Sequence, residues 1–118
     1  MRKVQLLVLL PLVACQGVDW KPLALREGQE QIRHMISDPA AAFSEVQVVG
    51  DRQPGQICGH VLGRGVSTGF GQPARFIVYI DRTAGPWIEG WHGREAVSGE
   101  DFDEAWQHDC LDEGWHPA

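Results

Sequence analysis

Ala74-Arg75-Phe76-Ile77-Val78-Tyr79-Ile80 is the strongest strand signal in the chain. β-branched and aromatic residues fill it, and turn formers bound it on both sides. Before it, Gly63 to Pro73 is a loop with four glycines, Gly63, Gly65, Gly69 and Gly71. After it, Asp81 to Pro86 turns the chain, and Trp87 to Trp91 reads as a returning strand. Ahead of the glycine loop, Gln56 to Leu62 makes another strand. Its Ile57, Gly59 and Val61 lie on one face, and Cys58, His60 and Leu62 on the other. Glu45 to Val49 is β-branched and partly alternating, and Gly50 to Gly55 turns from it into the next strand. The short connections favour antiparallel pairing.

Helical patterns flank this block. Pro22 can open a helix because the missing N–H is not needed there, and Asp19 can cap it. Leu23, Ile32, Met35 and Ile36 recur at helical spacing, with Gly28 weakening the middle. Asp38-Pro39 stops the helix, and Ala40 to Phe43 reads as a turn that sends Phe43 into the core. At the other end, Ser98 with Asp101 resembles a capping box. Glu100, Asp101, Asp103 and Glu104 suit the first turns of a helix whose inner face is Phe102, Ala105, Trp106 and Cys110. Gly114 ends it, with a loose tail expected over 114–118. The expected fold is α+β: an N-terminal and a C-terminal helix cover a face of a three- or four-stranded antiparallel sheet.

The amino terminus carries a different message. Arg2 and Lys3 precede an apolar run from Val4 to Ala14, about half the roughly 20 residues needed to cross a bilayer. Cations, a short apolar run and small residues describe a secretory signal. Leu12-Val13-Ala14-Cys15 resembles the lipobox of bacterial lipoproteins. That resemblance implies a diacylglyceryl group on the Cys15 sulfur, cleavage before Cys15, and a further acyl chain on the new amine. Two or more chains anchor stably where one does not. Gln16 rather than aspartate follows the cysteine, which favours the outer membrane, on its periplasmic face, in a Gram-negative envelope. The expected organisation is a signal over 1–14, a lipidated tether over 15–20, one domain over 21–113 and the tail.

Cleavage leaves 104 residues, one domain in size. They hold 8 Lys and Arg against 16 Asp and Glu, a net charge near −8. Such a surface disfavours nucleic acid, which demands phosphate neutralisation. It also leaves membrane attachment to lipid rather than to a basic patch. From Glu89 onward, nine carboxylates face a single cation, Arg94. With Cys15 given to lipid, Cys58 and Cys110 form an even pair in an oxidising compartment, and a disulfide is expected. The competing arrangements are two buried free thiols, or a metal site built from Cys58-x-His60 and His108-x-Cys110, a spacing unlike common zinc motifs.

The middle of the chain carries a second resemblance. Asp38-Pro39, Ala42-Phe43, Ile57-Cys58-Gly59, Val61, Gly69-Phe70 and Arg75-Phe76 resemble a group of small uncharacterised exported bacterial proteins that often end with a tryptophan and a cysteine in a final helix. Trp106 and Cys110 match that ending. Leu62 and Gly65 stand where the group usually has asparagines. The resemblance implies a shared fold core and disulfide, and no activity.

Candidate binding residues are Arg64 and Phe70 of the glycine loop, together with Tyr79, Trp87 and Trp91. Loops concentrate binding residues. Trp87 and Trp91, four residues apart on one strand, are expected to share a face, with Tyr79 alongside. Exposed, that face would suit a protein partner or a glycan. The glycine loop lacks a P-loop ending and is followed by a strand, so phosphate is not expected. No cofactor or metal is expected. The leading expectation is therefore a lipid-anchored, non-enzymatic envelope module. The alternatives are a small hydrolase or metal-dependent enzyme using His60, His92 or His108, and an acidic inhibitor or immunity-type lipoprotein that plugs a basic enzyme.

Overall fold

The computed structural model describes residues 19–50, 55–66, 71–93 and 96–118. The first helix, α1, is Lys21–Ile36. Pro22 occupies its first turn, and the Asp19 carboxylate accepts the Lys21 N–H at 3.1 Å. It ends at Ser37, held at φ +53, where the N–H groups of Ser37 and Asp38 return to the His34 and Arg33 carbonyls. The Asp38 carboxylate then accepts N–H groups from Ala40 at 3.0 Å and from Arg64 at 2.9 Å. One side chain thus ties the turn after α1 to the far end of the second strand. The Arg64 N–H first, and the Ala40 N–H second, hold its carboxyl below the usual carboxylate range.

Four strands follow: β1 Ala42–Val49, β2 Gln56–Leu62, β3 Ala74–Tyr79 and β4 Trp87–Ile88. They pair antiparallel in sequence order, forming a meander. Phe43 lies inside β1 rather than in a turn, and packs edge-on against Phe76 at 5.6 Å. The β1–β2 register breaks between Ser44 and Gln47: Ser44 opposes His60 and Gln47 opposes Cys58, so Glu45 and Val46 together face Gly59. This is a β-bulge. Glu45 sits there at φ +54, and Gly59 is required opposite it, since a Cβ would fall 2.9 Å from the Val46 Cα.

Alternate residues of β2 and β3 feed two separate cores. Ile57, Val61, Phe76 and Val78 pack with Ile32 and Ile36 of α1. Gly28 is buried in α1 where a Cβ would lie 2.6 Å from Ile57 Cδ1, so this glycine sets how closely helix and sheet approach. Cys58 and Ile77 point the other way, to Phe102, Trp106 and Cys110. Those come from α2, Gly99–Trp106, and the π-helical turn Gln107–Leu111 that continues it. The Ser98 hydroxyl caps α2 by accepting the Asp101 N–H at 3.1 Å. The fold is α+β, as the sequence predicts, but its helices cover opposite faces of the sheet rather than one. β3 requires this: Phe76, Ile77 and Val78 are all buried, and consecutive buried residues need cover on both sides.

Cys58 and Cys110 form a disulfide across the second core, 52 residues apart in sequence. The expected pairing is therefore present, and it joins β2 to the turn after α2. The expected loose tail is instead packed. Trp115 is buried, and its indole N–H donates to the Glu45 carbonyl at 2.9 Å. Gln47 holds the backbone of His116 from both sides: its amide donates to the carbonyl at 2.6 Å and its oxygen accepts the N–H at 3.3 Å. Residues 115 and 116 thereby strap onto β1.

Candidate functional site

Several polar groups of the second face gather at the end of the sheet where His60 pairs with Arg75. His60 of β2 points to the same side as Cys58, as its register requires, and packs against Trp115 at 5.6 Å and Trp106 at 6.2 Å between ring centres. Its Nδ1 lies 3.5 Å from the Glu45 carboxylate, which the bulge brings across from β1. The bulge therefore does two things. It turns the Glu45 side chain toward His60, and it turns the Glu45 carbonyl toward Trp115. A non-glycine residue at positive φ is held by such surroundings and is found more often at functional positions.

Beside this pair stands a second charged cluster. Arg75 of β3 donates to Glu89 at 2.6 Å and to Asp103 of α2 at 2.5 Å, and its backbone N–H reaches Glu89 at 3.1 Å. Its guanidinium also lies over the rings of Phe102 and Trp106, 5.1 and 5.5 Å from their centres. Burial disfavours the Arg75 charge, but hydrogen bonds to Glu89 and Asp103 outweigh it and raise its pKa. Glu89 mirrors this: burial pushes it up, and the Arg75 side-chain and backbone bonds together bring it below its ordinary value. Arg75 is therefore a fixed, fully engaged cation.

Between the clusters lies an open cleft of about 500 Å³. Ser44, Glu45, His60, Gln72, Arg75 and Glu89 line it, with His60 and Arg75 direct neighbours across β2 and β3. Ser44 stands opposite His60 in the β1–β2 register. With Arg75 neutralised by its two carboxylate partners, Glu45 leaves the cleft acidic. Groups here can accept hydrogen bonds from an ammonium or guanidinium. Among the described residues, no His, Cys, Asp and Glu side chains form a group able to hold a metal ion.

Of the expected binding residues, Tyr79 and Trp87 come together, and Trp91 is on the other side of the sheet. Trp87 packs edge-on against Tyr79 at 5.5 Å, beside the second core, whereas Trp91 packs against the first core. The shared tryptophan face is thus corrected: β4 is only two residues long, and Gly90 at φ +71 breaks the alternation that would align positions 87 and 91. The Tyr79 hydroxyl hydrogen-bonds to the Asp109 carboxylate. Burial, and then that bond, raise its pKa. Arg64 is exposed just past the end of β2 and is tied through its backbone N–H to Asp38. Cys15 and Phe70 lie outside the described residues. His92 is exposed, and His108 sits 3.5 Å from Asp112 on the exposed side of the last turn. The partners of His108 and His60 are different residues, so the two do not share one charged cluster.

Glu45, Arg75 and Glu89 are the site residues that sequence reasoning missed. Arg75 carried a signal: it is a lone cation inside the most apolar strand, and such a charge needs partners. Comparison with known families, with curated proteins and with solved structures found no match.

Proposed function

We propose that this chain is a lipid-anchored protein of a bacterial envelope, held by acyl chains on Cys15, whose mature domain is a non-enzymatic binding module. The observation that carries the reading is the fate of the cysteines. Of three in the chain, Cys58 and Cys110 are joined at the centre of the second core, which fits an oxidising compartment. Cys15 is left over, at the end of a lipobox pattern. No helix among the described residues is long and apolar enough to cross a membrane. Anchoring by lipid would supply the attachment.

The partner class follows from the cleft. Its unbalanced carboxylate and the acids of α2 beside it favour a basic segment of an envelope protein. A glycan has less support, because Trp87 and Trp91 do not form a joint stacking platform. This acidity also fits an inhibitor or immunity-type role, in which the acidic face plugs a basic protein. The test of the anchor is fractionation. The parent is expected to stay with membranes through salt and alkaline washes and to incorporate radiolabelled palmitate, and Cys15→Ser to lose both. A parent released by salt and unlabelled sinks the reading. For the cleft, oligolysine is expected to shift the resonances of Ser44, Glu45 and Gln72 in a salt-dependent way.

A second reading has one observation in its favour. Ser44, Glu45 and His60 line the same cleft, the residue types of a hydrolase. No hydrogen bond joins Ser44 to His60 among the described residues, so the nucleophile is not activated as it stands. Covalent labelling of Ser44 by a fluorophosphonate would promote this reading over the first.

A further inference from the structure

The two helix layers differ sharply in charge. α1 carries Lys21, Arg26 and Arg33 against Glu27 and Glu30, and Glu30 is paired with Arg33 at 2.5 Å. Arg82 at the β3–β4 turn borders the same surface, alongside Arg26 and His34. The opposite layer, residues 99–118, has seven carboxylates and no Lys or Arg. Six of them are exposed: Glu100, Asp101, Asp103, Glu104, Asp112 and Glu113. The sheet lies between, and with Asp19 and Asp81 counted beside these cations the α1 side is close to charge balance while the opposite side is strongly acidic.

The covalent chain adds a second constraint. Six residue steps separate Cys15 from Lys21, a reach of at most about 20 Å. The amino-terminal end of α1 would therefore stay within that distance of an acylated Cys15. Leu23, in the first turn, is 52% exposed, the most exposed large apolar side chain among the described residues. Each lysine or arginine near an anionic leaflet favours the contact by about 1 kcal/mol, and carboxylates are repelled.

We infer that the α1 surface, with Leu23, Arg26 and Arg82, is a docking face for an anionic phospholipid bilayer. It orients the tethered domain so that the acidic α2 side points away from the membrane. The inference rests on lipidation of Cys15: the acyl chains hold the protein, and this face only sets which side lies down. The cleft, on the α2 side of the sheet, is then presented toward the space beyond the membrane rather than toward the headgroups.

Two exposed histidines report on the two sides: His34 on α1 and His108 after α2. The full lipidated protein is reconstituted in nanodiscs of phosphatidylcholine alone or mixed with phosphatidylglycerol. Diethylpyrocarbonate modification of each histidine is then followed by mass spectrometry. His34 is expected to react about fivefold more slowly with phosphatidylglycerol present, the factor one surface cation supplies, while His108 is unchanged. The protection should vanish in 1 M salt, where the screening length is about 3 Å, and in Arg26→Glu/Arg82→Glu. Equal His34 rates in both lipids, or protection of His108 instead, would overturn the docking face while leaving the anchor intact. Intact mass of the same sample reads the anchor separately, and absence of lipid on Cys15 overturns both.

Discussion

Replacing Trp115 with alanine tests whether the last residues belong to the fold. Trp115 is 7% exposed and packs on Trp106 at 4.8 Å between ring centres, on His60 at 5.6 Å, and among Val49, Cys58 and Cys110. Truncating a buried tryptophan to alanine costs about 3–5 kcal/mol. The lost indole bond to Glu45 adds about 1 kcal/mol. Relaxation of the strap around the vacated site lets water in, which favours the low end, about 3 kcal/mol. That is a large share of a typical domain's 5–15 kcal/mol. Urea unfolding followed by far-ultraviolet circular dichroism, with the disulfide intact, should show a midpoint lower by about 1–3 M. Trp115→Phe, which keeps a ring but not the N–H, should lose only about 1–2 kcal/mol. A Trp115→Ala midpoint within about 0.3 M of the parent, as for an exposed substitution, would refute the packed strap.

Tyr79 is the only tyrosine, so tyrosinate absorbance reports it alone. Its pKa is raised in the folded state, so its stabilising effect is complete below the ordinary value of 10 and fades as pH rises above it. The folded protein should show no tyrosinate at pH 10 and the unfolded, reduced chain should be half ionised there; half ionisation of the folded protein at pH 10 would contradict the Asp109 contact. Gly59→Ala should destabilise by about 1–3 kcal/mol, because its Cβ would meet Val46 backbone, and an unchanged urea midpoint would argue against the bulge. Asp38 has a lowered pKa, so its contribution is present above the ordinary carboxylate range and lost as pH falls through its folded value. Asp38→Asn should lower stability at neutral pH and flatten the decline below about pH 4, and parallel pH profiles of the two proteins would exclude that role.

Much of this architecture was legible because its signals are local. The β2 and β3 patterns, the Pro22 start, the Asp38-Pro39 stop and the Ser98 cap each act within a few residues. The cysteine pair was legible by arithmetic. What escaped depends on distant partners. Trp115 finds Glu45 across 70 positions, and no spacing rule announces that, although an isolated tryptophan beyond a helix stop is seldom left in water. The bulge at Glu45 and Val46 shows itself only when β1 is laid against Gly59. Because of it the cleft was invisible: without the shift, Glu45 would not face His60 in this way. The placement of the helices could have been read. Phe76-Ile77-Val78 does not alternate, and a strand buried on both faces calls for cover on both. An unbroken strand would put Trp87 and Trp91 on one face, and Gly90 at positive φ interrupts it.

The central claim is a protein anchored through Cys15 and stapled through Cys58 and Cys110. Intact mass spectrometry of the membrane fraction, with and without reductant and alkylation, tests it most directly. The account predicts a chain lacking residues 1–14, with a lipid mass on Cys15 and no alkylation of Cys58 or Cys110 until reductant is added. A chain without lipid whose Cys58 and Cys110 alkylate freely before reduction would contradict it.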